Sequence, residues 1–341
     1  ELFFFKRHIV YLMLSAIAML VTFLTPSTFW SKYSRLWMLA SVVLLVLVLI
    51  PGIGRELNGS RRWLALGGFT IQVSELVKVA TIVFLATYLQ QYRETLGEGW
   101  EHFGKLMVLI GLLTILLIRE PDFGSVVVLG GTFMAMLFLG GAKLRQYIFL
   151  IAICAAVLWW LKDSSPYRMA RITAYLDPWS DQFNSGYQLT QSLIAFGRGE
   201  WFGVGLGQSV QKMLYLPEAH TDFVFAIFAE EFGFLGVICL IGLYCLMVTR
   251  IFGLSRKAIE QQKWYPAFVL IGFGLLISGQ TFINLGVNAG LLPTKGLTLP
   301  FVSYGGSSLL VSCAMVGMML RFAHDLNQPE STSRRSANVR R

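Results

Sequence analysis

Apolar runs of roughly 15 to 20 residues recur along the whole chain, and they leave one class of structure open. A helix rises ~1.5 Å per residue, so such a run crosses most of a ~30 Å hydrocarbon layer. Lipid offers no partners to backbone amides, which makes helices the expected spanning form, and the alternating pattern of porin-type strands is missing. Nine runs qualify: residues 8–24, 36–50, 75–89, 105–118, 123–139, 146–161, 223–252, 267–287 and 303–322. The second and fourth are short and borrow flanking residues. Of the 341 residues 55% are hydrophobic and 14% charged, against about a quarter charged in soluble domains. Cys154, Cys239, Cys245 and Cys313 all fall inside apolar runs and read as small hydrophobes, with no disulfide or metal spacing. The expectation is an all-α polytopic membrane protein, a helical bundle with nine spans.

The net charge of +9 would suggest nucleic acid on a soluble chain. Here it fits cations retained on the cytoplasmic side. Residues 250–263 carry Arg250, Arg256, Lys257 and Lys263, and the tail carries Arg334, Arg335, Arg340 and Arg341. These segments lie two spans apart and so share one side. Counting back places Lys143, Arg145, Arg93, Lys105, Lys32 and Arg35 inside as well, and Glu1 outside. One further helix ahead of Glu1 would bring the N-terminus inside. The organisation expected is one transmembrane domain over 1–325, with a large extracytoplasmic loop at 162–222 and a basic cytoplasmic tail at 326–341. Outer segments also hold Arg55, Arg61, Arg62, Arg119, Arg168, Arg171, Arg198, Lys212 and Lys295, against the bias. Either an anionic ligand explains them, or headgroup snorkelling and local ion pairs with Glu56, Glu120 and Asp177 do.

Loops between helices usually run 2–8 residues, so the ~60 residues of 162–222 suggest a functional insert. Within it, 187–196 has the pattern of a helix lying on the membrane surface, and glycines at 197, 199, 203, 205 and 207 mark tight turning. The loop closes with Pro217-Glu218-Ala219-His220-Thr221-Asp222-Phe223. Asp222 is the first choice for a catalytic carboxylate, because partial desolvation at a membrane boundary suits a base; it reads equally as a helix cap. Glu75 and Lys78 share one helical face and can pair, around a cavity or at the headgroups. Arg119-Glu120-Pro121-Asp122 reads as a bare outer turn or as a substrate-binding hairpin. Glu230 and Glu231 lie within the seventh span, where structural pairing and function fit alike. His220 has no second histidine nearby, so a zinc site is not expected. Between the last two spans, Asn284 to Ser308 is rich in small and hydroxyl residues and carries Lys295, suited to a diphosphate or simply to a re-entrant turn.

Several of these segments together resemble one family. Pro293-Thr294-Lys295-Gly296-Leu297-Thr298-Leu299-Pro300 and its continuation to Ser308, the 217–223 segment, Gly186-Tyr187-Gln188-Leu189-Thr190-Gln191-Ser192 and Ala195-Phe196-Gly197-Arg198-Gly199-Glu200 are similar to the signatures of the SEDS family (shape, elongation, division and sporulation), with Lys295 typical of the division branch. The resemblance implies ten helices with both termini cytoplasmic, one more than this chain shows. It implies peptidoglycan glycosyltransfer from lipid II at the periplasmic face of the bacterial inner membrane, at the division septum. Asp222 then becomes the essential acid, and Arg62, Glu75, Lys78, Asp122 and Lys295 substrate-binding positions. A leaving diphosphate needs no strong general acid, so one carboxylate with cations suffices, where a glycosidase uses two carboxylates. A divalent cation such as Mg2+ fits if the diphosphate carries it, and no protein metal site is expected. The implied partners are a class B penicillin-binding protein (FtsI) and the FtsQ–FtsL–FtsB complex, with no nucleic acid. A lipid II flippase or a non-catalytic divisome scaffold are the competing readings.

Overall fold

The computed structural model describes residues 2–57, 60–66, 69–163, 175, 177–184, 186–293 and 296–328. Among them the helices are α1 Leu2–Leu24, α2 Ser27–Lys32, α3 Ser34–Leu49, α4 Val73–Tyr92, α5 Glu101–Arg119, α6 Phe123–Leu139, α7 Leu144–Asp163, α8 Tyr187–Gly199, α9 Val224–Glu260, α10 Trp264–Asn288 and α11 Gly306–Asn327. Every apolar run of the sequence lies on one of these helices: α1, α3 to α7 and α9 to α11. Six of them (α1, α4, α5, α9, α10, α11) are long and apolar enough to cross a membrane unaided. The fourth run is extended at both ends into the 19 residues of α5, whereas the second remains short at the 16 of α3. The basic tail beyond residue 328 lies outside the described residues.

Burial sorts the bundle. In α4 and α10, 61% and 67% of the apolar window is buried, against 17% in α1 and 11% in α9. The central pair packs with α6 and α11 around Ile82, Met136, Phe273 and Met318, while α9 turns Phe234, Leu235, Ile238 and Leu246 outward. Small residues bring helices close where lipid supplies no hydrophobic drive. A Cβ on Gly317 of α11 would sit 2.1 Å from Thr22 Oγ1 of α1, and Thr22 donates to the Ala314 carbonyl at 2.9 Å.

Residues 51–72 add what the helical expectation lacked, an antiparallel three-stranded sheet in the order β1 Gly54–Leu57, β2 Ser60–Leu66, β3 Phe69–Gln72. The pairs Asn58-Gly59 and Gly67-Gly68, dipeptides that favour hairpin turns, separate its strands in the sequence. The sheet leads directly into α4, and Ser307 at the start of α11 holds it there, donating to the Thr70 carbonyl and accepting the Gln72 amide at 2.9 Å.

In the large loop, α8 forms where expected but packs its apolar side on protein. Leu189 and Ala195 are buried, Phe196 meets Phe225 of α9 edge-on, and Ser192 donates to the Asn288 carbonyl at 2.7 Å. The bundle receives this side of the helix. The glycine segment after it fills a break in α9 at Gly233 (φ 65°). There the carbonyls of Glu230 and Glu231 accept the Val204 and Gly205 amides, and the Phe234 amide donates to the Glu200 carbonyl. Side chains reinforce the junction: Glu230 accepts from Ser209 Oγ at 2.5 Å and lies 3.3 Å from Arg198, while Lys212 pairs with Glu231 at 2.6 Å. Glu230 and Glu231 thus serve structure.

Candidate active site

Asp222 immediately precedes Phe223, the N-cap of α9. It thus stands at the N-terminal end of the 37-residue α9, whose C-terminal part carries Arg250, Arg256 and Lys257 of the basic segment. Side chains from α10 and the following loop fasten the approach. Asn284 and Asn288 each donate Nδ2 to the Asp222 carbonyl at 2.9 Å, and Ser303 donates Oγ to the Thr221 carbonyl at 2.6 Å. The Tyr304 amide donates to the His220 carbonyl at 2.8 Å. Asn288 Oδ1 accepts the Ala226 amide at 3.1 Å, so a residue of α10 fills a capping position for α9. The half-buried Asp222 carboxylate lies against Gly296, where an added Cβ would stand 2.7 Å from Oδ2.

The first turn of α6 flanks the other side of that loop. A Cβ on Gly124 would meet the Leu297 side chain at 2.7 Å and the Gly296 carbonyl at 3.0 Å. Asp122 is buried and caps α6, accepting from the Ser125 amide at 3.2 Å and its hydroxyl at 2.8 Å. Gln72 Nε2 donates to it from 3.5 Å. Arg62, on β2, donates Nε to the Glu120 carbonyl at 3.0 Å and Nη2 to the Pro121 carbonyl at 2.6 Å, and holds Nη1 4.0 Å from Asp122 Oδ1. Asp122 therefore shapes the turn that leads into α6, two residues ahead of Gly124. Glu120 is fully buried, and neither carboxylate oxygen has a hydrogen-bond partner. Burial first and the neighbouring Asp122 second push its carboxyl up to about 8, with Arg62 pulling the other way.

Glu75 and Lys78 pair at 2.9 Å, 6% and 1% exposed, so the pair is buried in the bundle interior. Lys78 also donates to Gln280 Oε1 at 3.2 Å, and Gln280 Nε2 donates to the Thr298 carbonyl at 2.9 Å. Through that bridge the pair reaches the loop that carries Gly296. Lys295 lies outside the described residues, adjacent in sequence to Gly296. The structure thus sets Asp222 against one loop and ties Glu75 and Lys78 to it through Gln280, while Asp122 and Arg62 shape the turn that leads into α6, whose Gly124 packs on that loop. Sequence reading missed Gln280 as a member and the isolation of Glu120. Among the described residues, no group of three or more His, Cys, Asp or Glu could hold a metal ion.

Among the described residues, four of the outward cations have protein partners. Arg61 pairs with Glu56 at 2.9 Å, Arg198 and Lys212 hold α9, and Arg62 holds the 120–122 turn. Local pairing accounts for these four. Arg168 and Arg171 lie outside the described residues.

Comparison with known proteins agrees with this architecture. The chain is 51% identical over 322 residues to a probable peptidoglycan glycosyltransferase FtsW of Legionella pneumophila, covering 94% of this chain and 82% of that protein. It is 50% identical over 322 residues to the protein of the same description in Coxiella burnetii, covering 94% and 87%. A solved chain from a peptidoglycan synthase complex that coordinates polymerization and crosslinking superposes with a TM-score of 0.78 at 29% identity, covering 96% of this chain and 91% of that one. The profile of the cell cycle protein family of FtsW, RodA and SpoVE matches residues 1–328, and the chain, a multi-pass membrane protein, belongs to that family.

Proposed function

We propose that this protein polymerises lipid II into glycan strands, as a peptidoglycan glycosyltransferase whose site opens on the periplasmic face of the inner membrane at the septum. The observation that carries the reading is the placing of Asp222. A carboxylate stands at the bundle end away from the basic segments, against a glycine loop, with its backbone fixed by two buried amides. Rigid placement of one base at a lipid–water boundary is what a single displacement on a lipid-linked sugar requires.

In that displacement the acceptor's 4-hydroxyl oxygen attacks the anomeric carbon of the donor. The bond from that carbon to the diphosphate oxygen breaks, and the lipid diphosphate leaves with the electron pair. Asp222 takes the hydroxyl proton. One displacement converts an α-linked donor into a β-linked product, so the reaction inverts. Lys295, next to Gly296 in the sequence, is the cation assigned to the diphosphate, with Arg62 contributing from β2 beside the 120–122 turn. Glu75 and Lys78 act from beneath, through Gln280 and Thr298. A divalent cation such as Mg2+ would enter with the diphosphate, not in a protein cage. A class B penicillin-binding protein (FtsI) and the FtsQ–FtsL–FtsB complex are the partners assigned to this face.

The test is polymerisation of labelled lipid II by the purified protein, alone and with the penicillin-binding partner. Asp222→Asn should abolish polymer while leaving the unfolding midpoint in detergent near that of the parent. Normal polymer from Asp222→Asn removes Asp222 from the chemistry. Movement of lipid between leaflets without any polymer would make the protein a flippase.

A further inference from the structure

On α10, Gln280, Asn284 and Asn288 recur every four residues, one helical turn apart on a single face, and are 4%, 2% and 0% exposed. Carboxamides inside a membrane bundle are costly unless each polar atom finds a partner. Here the partners run in order. Gln280 joins Lys78 to the Thr298 carbonyl; Asn284 joins the Leu297 carbonyl, at 2.6 Å, to the Asp222 carbonyl; Asn288 joins that same carbonyl to the Ala226 amide at the start of α9. Asn288 Nδ2 also donates to the Asn284 carbonyl at 2.9 Å, tying the two upper rungs together.

We infer that this amide ladder is the positioning device of the site, setting the Asp222 backbone and the 296–298 loop against each other from one rigid helix. The inference rests on Asp222 being the base. Asp222 sits at the junction of a long loop and a helix. Two donors on one carbonyl define the peptide plane from which its side chain departs. Because Asn284 also binds Leu297, the loop facing the carboxylate is held by the same side chain. Gln280 makes the ladder continuous with Lys78, so the buried Glu75–Lys78 pair contributes to the outer site without reaching its surface. None of the three amides contacts the reacting atoms on this account; they are positioning residues.

The experiment measures steady-state polymerisation of lipid II, its pH profile and the unfolding midpoint for Asn284→Ala, Asn288→Ala, Ser192→Ala and Asp222→Asn, each as the full chain with its partner. Ser192→Ala is the structural control: it removes the buried bond to the Asn288 carbonyl and no bond to Asp222. The two asparagine variants should lose about 100-fold in turnover, the scale of an ångström-sized misplacement, with KM for lipid II little changed. The acid limb of their pH profile should move, because the carboxylate is displaced relative to Gly296. Ser192→Ala should keep turnover and profile even where its midpoint falls. Should an asparagine variant unfold, Asn288→Asp keeps an acceptor for the Ala226 amide while losing the donor to Asp222, and the same readouts apply. Turnover above half the parent's in both asparagine variants, a loss carried by KM alone, or an equal loss in Ser192→Ala would overturn the ladder. An active Asp222→Asn would instead overturn the base on which it rests.

Discussion

Gly296 shows most directly how a single position sets the chemistry. Its missing side chain leaves the space that the Asp222 carboxylate occupies, since a Cβ would come within 2.7 Å of Oδ2. Gly296→Ala should therefore push the carboxylate aside and lower polymerisation ~10- to 100-fold with the fold intact; a fully active variant would put the working carboxylate elsewhere. Glu120 makes a different point, through pH. Its carboxyl titrates at 4.5 when unperturbed and at about 8 in the fold, so the folded state holds the proton more tightly. Stability from this group is complete below the lower value, declines as pH rises between the two, and is gone above the upper one. Glu120→Gln keeps the shape and removes the titration, so its unfolding midpoint should stay flatter than the parent's across that interval. Of these residues, Asp222, Asp122 and the Glu75–Lys78 pair were legible in the sequence, because ionisable groups beside apolar runs are conspicuous. Asn284 and Asn288 were visible only as polar residues of a motif, since the carbonyl they hold lies more than 60 positions away.

The α9 break is the element whose form the sequence concealed. An apolar run through Gly233 reads as one span, and a glycine inside a helical pattern is ordinarily tolerated. Only the fold shows that the chain there has φ 65° and that the loop amides at 204 and 205 take over the carbonyls it frees. A Cβ on Gly233 would fall 2.3 Å from the Gly203 nitrogen, so Gly233→Ala meets both backbone strain and a collision with main chain that cannot rotate away. It should cost about 2–4 kcal/mol, read as a lowered unfolding midpoint in detergent. Glu230→Ala should cost as much or more, because it strips the acceptor from Ser209, from the Val210 and Gln211 amides and from Arg198. The small sheet before α4 is the opposite case. Its turn dipeptides Asn58-Gly59 and Gly67-Gly68 stand plainly in the sequence, but a segment of 24 residues between two spans was read only as polar loop.

For the molecule as a whole, cations are engaged by the fold at both ends of the bundle. At the Asp222 end, Arg62, Arg198 and Lys212 are bound to protein carbonyls and carboxylates. At the other end, Arg256 pairs with Glu260 on an exposed face and Arg93 stacks its guanidinium 3.6 Å above the Trp264 ring. The positive-inside bias, read from the basic 250–263 segment, sets that end inside and Asp222 outside. Sidedness then has a direct measurement. Single cysteines at the exposed positions Gln208 and Gln262 should behave oppositely toward a membrane-impermeant maleimide on intact spheroplasts: Gln208→Cys labelled, Gln262→Cys labelled only after lysis. The four native cysteines, Cys154, Cys239, Cys245 and Cys313, are replaced by alanine first, so that each added cysteine is the one thiol read. Labelling of Gln262→Cys alone in intact spheroplasts would turn the molecule over, placing Asp222 on the side where a periplasmic glycan cannot be built.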